Sequence, residues 1–287
     1  MTHDDDDTTR ALRRVGLRDG RTVLVDDTGP AARPGPVLVW HHESPHTGAL
    51  YEPLLRLARE RGLRMIAVTR PGYGGADPLA GRSVADAARD VLEVAGLLGI
   101  GRTLQLGGSG GGPHALAVAA LAPERVAGVA VVASPAPFAD VPAWWDGMAD
   151  DGGLRTALRG RDARLAHAAI AQFDPSSFVD TDYAALDGEW AGLGRDAGVL
   201  SVAFGPVGLA DDDVALTTPW GVTLADVAAP VLLVQGRRDR VIPPAHAELL
   251  AAALPHAEPR WHDDAGHIAA LAGLAPAVDE LLARMEP

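Results

Sequence analysis

Cysteine is absent from all 287 residues, so neither a disulfide framework nor a thiolate metal site can be built. Lysine is absent too. All 25 basic residues are arginine, which removes Schiff-base chemistry from the repertoire. Acidic residues outnumber basic ones by 38 to 25, and the resulting charge of −13 argues against nucleic acid or an anionic membrane as a partner. No uncharged apolar run reaches 18 residues, so no membrane span is expected. The opening Met1-Thr2-His3-Asp4-Asp5-Asp6-Asp7 lacks the basic and apolar regions of a secretory signal. It reads as a solvated, disordered acidic tail over residues 1–10, and the expected location is cytoplasmic. The histidines show no ligand spacing. His41, His42 and His46 cluster, but a loop turn accounts for them, so neither a metal nor another cofactor is expected.

What is present suits one large α/β domain. Hydrophobic residues make up 47% of the chain, enough to fill a sizeable core at this length. Runs at 13–17 and 21–26 flank Asp19-Gly20, a hairpin signal. Short β-rich runs follow at 36–40, 64–69, 103–106 and 128–133, with helical patterns between them at 50–61, 83–98 and 113–121. Ser83 and Asp86 have the spacing of a helix N-cap. The alternation stops after Ala133 and resumes with strands at 230–235 and 258–262 and helices at 245–253 and 274–285. These patterns predict a mostly parallel eight-stranded sheet with helices on both faces. The core is expected over residues 11–134 and 224–287, with a helical cap inserted at 135–223.

The most telling motif is Gly107-Gly108-Ser109-Gly110-Gly111, between the strand at 103–106 and the helix that begins near Pro113. In a strand–turn–helix setting, G-x-S-x-G is a nucleophile elbow: a turn so tight that glycine is needed on both sides of the serine. A serine nucleophile needs a base, and the base needs an orienting acid. Asp239 follows the strand pattern 230–235, and His267 lies 28 residues further on, in Ala265-Gly266-His267. Each candidate stands past the carboxyl end of a strand, where a parallel sheet presents its ligands. His262, Asp263 and Asp264 are neighbours with a weaker claim, because they stand closer to the strand itself.

These residues resemble the α/β-hydrolase superfamily, in particular its capped bacterial serine hydrolases of the esterase and prolyl-aminopeptidase-like branch. The likeness extends from about Arg21 to the C-terminus. It includes Gln235-Gly236-Arg237-Arg238-Asp239, Ile242-Pro243-Pro244 and Arg70-Pro71-Gly72-Tyr73-Gly74-Gly75. His42-Glu43-Ser44-Pro45 is similar to the family's His-Gly-x-Pro turn. The resemblance implies Ser109 as nucleophile, His267 as base and Asp239 as acid. It implies an oxyanion hole from the amides of Gly110 and Ser44, and a structural hydrogen-bonding part for His42. A serine at the elbow separates this chain from the branches that attack with aspartate.

Glu43 departs from that pattern by standing where glycine is usual. Two orientations are open: away to solvent or a neighbouring arginine, or inward, where it would repel the oxyanion or bind a cationic or hydroxyl-bearing substrate. Nine of the 13 aromatic residues fall in the interrupted stretch, among them Phe138, Trp144 and Trp145. They serve either the insertion's own core or a substrate pocket, and adjacent Trp144 and Trp145 are expected to face different ways. The expected activity is hydrolysis of a carboxylic ester, lactone or thioester of a small, partly apolar substrate, by a monomer or homodimer. Two alternatives stay open. One is an aminopeptidase or amidase of the prolyl-aminopeptidase type, with Glu43 or Glu189 binding the substrate amine. The other is a lyase, cyclase or ligand-binding receptor on the same fold.

Overall fold

Apolar runs of valine, leucine and alanine too short for helices become strands buried on both faces. A computed structural model describes residues 10–285. Its strands are β1 (Ala11–Gly16), β2 (Thr22–Asp27), β3 (Val37–His41), β4 (Met65–Val68), β5 (Thr103–Gly108), β6 (Val126–Val132), β7 (Val231–Gly236) and β8 (Ala257–His262). They form one eight-stranded sheet in the order β1-β2-β4-β3-β5-β6-β7-β8. The β1–β2 hairpin and the β2–β4 pair are antiparallel, and every pairing from β4 to β8 is parallel. Residues 1–9 of the expected tail lie outside the described residues. Arg10 is held against the sheet, with Nε and Nη2 donating to the two oxygens of Asp26 at 3.0 and 2.7 Å.

Alternation of side chains along the strands divides the core into two layers. The helices between strands are α1 (Glu52–Glu60), α2 (Val84–Leu97) and α3 (Gly112–Leu121). Six helices follow β6: α4 (Pro142–Trp145), α5 (Gly152–Ala157), α6 (Arg161–Ala168), α7 (Asp180–Asp187), α8 (Ala191–Ala203) and α9 (Val207–Leu216). After β7 and β8 come α10 (Ala245–Ala253) and α11 (Leu274–Ala283). Val39, Ile66 and Val131 face one layer with Val91, Leu116 and Leu250 of α2, α3 and α10. Their neighbours Leu38, Met65 and Val132 face the other, with Leu54 of α1 and Leu281 of α11. At the start of α2 the cap forms as the spacing predicts. The Asp86 amide donates to Ser83 Oγ, and the Ser83 amide donates to the Asp86 carboxylate. Among the described residues no helix is long and apolar enough to cross a membrane.

Candidate active site

β5 delivers Ser109 to the carboxyl edge of the sheet, between β3 and β6. Ser109 has φ of 47°, a strained value for a residue with a side chain, and it lifts the hydroxyl out of the strand line. The flanking glycines are required by close approach. A β-carbon on Gly107 would sit 2.8 Å from the Gly111 carbonyl oxygen, and one on Gly111 would collide with the His41 carbonyl. The turn runs straight into α3, so the hydroxyl stands over a helix N-terminus.

The three side chains expected to meet do meet. Ser109 Oγ and His267 Nε2 are 3.0 Å apart, and His267 Nδ1 lies 2.8 Å from Asp239 Oδ2. A carboxylate can only accept, so Nδ1 carries the proton and Nε2 is free to accept from the serine. Burial would lower the His267 pKa, but the Asp239 carboxylate outweighs it and holds the imidazole above its usual 6.5. Asp239 is fixed in turn: its Oδ1 accepts from the amides of Val241 and Ile242 at 2.8 and 2.9 Å.

The turn after β3 packs on the residue that follows Ser109. A β-carbon on Gly110 would lie 2.5 Å from Ser44 Oγ and 3.7 Å from the Ser44 amide nitrogen, so the Ser44 turn packs closely on Gly110. His42 Nδ1 donates to the Glu43 carbonyl at 2.8 Å, and its Nε2 accepts from the Arg70 amide at 3.1 Å. Arg70 donates to the carbonyls of His42 and Glu43 and to Ser44 Oγ, and its Nη2 reaches Asp212 at 2.7 Å. Asp212 also accepts from Ser44 Oγ at 2.5 Å, from Tyr73 at 2.7 Å and from Arg82. Burial pushes the Asp212 carboxyl up, yet Arg70 and Arg82 hold it well below the usual carboxylate range.

Glu43 does not point to solvent or to an arginine. It is buried, and neither carboxyl oxygen has a hydrogen-bond partner among the described residues. The reason is Gly108. A β-carbon there would meet Glu43 Cγ and Oε1 at 3.0 Å, so the carboxyl occupies the space that a side chain before Ser109 would take. His46 Nδ1 is 3.9 Å away, too far to bond. Burial pushes Glu43 up to about 7.

Trp144 and Trp145 do not face different ways. Both are buried with their rings 4.5 Å apart, and Phe138 packs edge-on to each. Trp144 Nε1 donates to the Ala136 carbonyl, and the Arg155 guanidinium lies over Trp145. Glu189 is half exposed and paired with Arg56 of α1. His114 donates to the elbow itself, its protonated Nδ1 lying 2.9 Å from the Gly110 carbonyl oxygen. Asp263 pairs with Arg237.

Two insertion carboxylates escaped the sequence reading. Asp212 of α9 grips the Ser44 turn. Asp182 of α7 accepts from the amides of Ile268 and Ala269 at 2.8 and 2.9 Å, bracing the segment that carries His267. The available signal was an acidic run, Asp211-Asp212-Asp213, inside an otherwise apolar helix. Each of the three meets an arginine: Arg161, Arg70 with Arg82, and Arg164.

Comparison with known proteins agrees with this fold. The family model described as alpha/beta hydrolase fold matches residues 36–274. A 2-hydroxy-6-oxononadienedioate/2-hydroxy-6-oxononatrienedioate hydrolase of Cupriavidus pinatubonensis is 29% identical over 273 residues, covering 89% of this chain and 88% of the relative. Among solved structures, a thermophilic esterase from Thermogutta terrifontis superposes with a TM-score of 0.70 at 20% identity, over 96% of this chain and 99% of that one. The enol-lactonase from Burkholderia xenovorans LB400 gives 0.71 at 20% identity, over 94% and 100%.

Proposed function

Since the chain belongs to the α/β-hydrolase family, we propose that it is a serine hydrolase of carboxylic esters or lactones, working through an acyl-enzyme on Ser109. The observation that carries this reading is the unbroken line from Asp239 through His267 to the Ser109 hydroxyl. His267 Nε2 removes the hydroxyl proton as Ser109 Oγ attacks the substrate carbonyl. Asp239 holds the imidazole in orientation and stabilises the imidazolium that forms. The carbonyl oxygen, now negative, is met by the amides of Gly110 and Ser44. Loss of one such donor costs roughly 10²–10³ in kcat. When the tetrahedral intermediate collapses, the proton on Nε2 passes to the leaving alkoxide. Water then attacks the acyl-enzyme with His267 again as base, releasing the acid and restoring the serine.

An apolar substrate fits what borders the turn. A cavity of about 490 Å³ opens between the insertion helices, lined by Phe173, Leu200 and Leu209 with Arg164 at one wall, and it reaches Pro45 next to Ser44. Phe138, Trp144 and Trp145 do not line it. We therefore assign helices α4 to α9 the role of a cap, with Phe173 rather than the tryptophan pair toward substrate. The ion pair of Glu189 with Arg56 gives no support to amine recognition by Glu189. A panel of p-nitrophenyl esters of increasing acyl length, a γ-lactone and aminoacyl p-nitroanilides tests the reading. The ester or lactone is expected to exceed the anilides in kcat/KM by at least tenfold. Turnover of the anilides alone would refute it.

A further inference from the structure

Glu43 is a buried ionisable group beside the nucleophile that the triad chemistry leaves unused. We propose that it is a positioning residue acting electrostatically through His267: its enclosed carboxyl favours protonation of that imidazole and so sets the pH at which Ser109 is activated. The inference rests on the triad reading given above. Its geometric basis is the exchange of bulk between two positions. Glycine at 108 vacates the space behind the elbow and the carboxyl at 43 fills it, within contact distance of the residue that precedes Ser109.

A charge in that place is poorly screened. Both oxygens are sealed from solvent and accept no hydrogen bond among the described residues. The groups facing it come from every side. From its own turn come His42 and His46; burial lowers His42 well below 6.5 and His46 to about 4, so neither supplies a cation at neutral pH. Tyr51 and Asp196 approach from before α1 and from α8, and the Tyr51 hydroxyl donates to Asp196 at 3.2 Å. Arg70, from the loop after β4, attracts the carboxylate, but its donors are engaged by Asp212 and the turn carbonyls. His267 remains: its Nε2 lies 3.0 Å from the hydroxyl of Ser109, the residue that follows the Gly108 against which the Glu43 carboxyl packs. The attraction is mutual, drawing the Glu43 pKa down and the His267 pKa up. The two protons therefore leave as a coupled pair rather than from independent sites.

The sign follows. Attack by Ser109 needs neutral His267, and an ionised Glu43 keeps the imidazole protonated to higher pH. Removing the carboxyl should move activation to lower pH. The test is the His267 imidazole titration by NMR, assigned by its loss in His267→Gln, in wild type and in Glu43→Gln. In parallel, the rate of inactivation by a fluorophosphonate is measured against pH. Both midpoints are expected to fall by about half a unit or more, and the wild-type curve to sharpen to a single ionisation. An unchanged His267 midpoint in the folded variant overturns the proposal. If Glu43→Gln does not fold, Glu43→Gly gives the same comparison. If neither folds, the Glu43 carboxyl ¹³C signal of the wild type decides. A second inflection at the His267 midpoint supports the coupling, and a single inflection overturns it. A wild type that the fluorophosphonate never labels would defeat the hydrolase reading, while the NMR midpoints would still decide this one.

Discussion

At the residue scale, Glu43 carries a cost that the elbow glycine makes possible. Its carboxyl titrates near 4.5 when exposed and at about 7 in the fold, so the folded state binds the proton more tightly. Stability must therefore fall as pH rises from about 4.5 to 7, by about 3 kcal/mol from this group. Glu43→Gln should accordingly raise Tm over wild type at pH 8 and bring little or no gain at pH 4.5, read by thermal scans at both. Equal gains at the two values would mean that the carboxyl is not sealed. Asp239 has a different part, to orient the His267 imidazole. Asp239→Asn should leave the far-ultraviolet spectrum intact while lowering kcat by roughly 10³–10⁴. The meeting of Ser109, His267 and Asp239 was legible in the sequence because each of them follows a strand in a fixed context. The inward turn of Glu43 was not, because it depends on what position 108 leaves empty across the β3–β5 pair.

At the element scale, the insertion is joined to the site by two carboxylates. Asp212 on α9 compensates Arg70 and Arg82, which are both buried. Asp212→Ala leaves two buried guanidinium groups unpaired and is expected to cost about 3–5 kcal/mol, measured by urea unfolding. Asp182 on α7 satisfies backbone amides next to His267. Asp182→Ala should cost about 1–3 kcal/mol and slow labelling of Ser109 by a fluorophosphonate, because the loop that holds the imidazole loses its brace. A variant that loses stability without any change in labelling rate would show that the brace does not reach the imidazole. The core elements were readable from their periodicity, and strand ends differed from expectation by a residue or two. The insertion was readable only as an interruption. Its helices are short, and its contacts are long-range pairs such as Asp182 with Ile268, 86 residues apart, which no local pattern announces.

At the scale of the whole molecule, the buried histidines dominate the response to acid. Burial lowers the pKa of His41, His46 and His246 to about 4, and pushes His42 and His114 well below 6.5. Below pH 6.5 the unfolded chain binds protons that the folded one refuses, so stability is lost as pH falls from 6.5 toward 4. His41, His46 and His246 each contribute about 3 kcal/mol to that loss. The opposite trends of Glu43 and Asp213, the latter raised to about 6, are smaller in sum. Tm should therefore drop steeply between pH 6 and 4, before the Asp212 ion pairs are touched. A flat profile down to pH 4 would contradict the burial of these imidazoles.

The central claim is that Ser109 is a nucleophile made reactive by His267 and Asp239, and covalent capture tests it most directly. The protein is incubated with a fluorophosphonate and analysed by intact mass and peptide mapping. The account predicts a single phosphonyl adduct on the peptide containing Ser109, absent in Ser109→Ala and formed far more slowly in His267→Ala. A folded protein that takes up no adduct, or takes it up elsewhere and equally in Ser109→Ala, would contradict it.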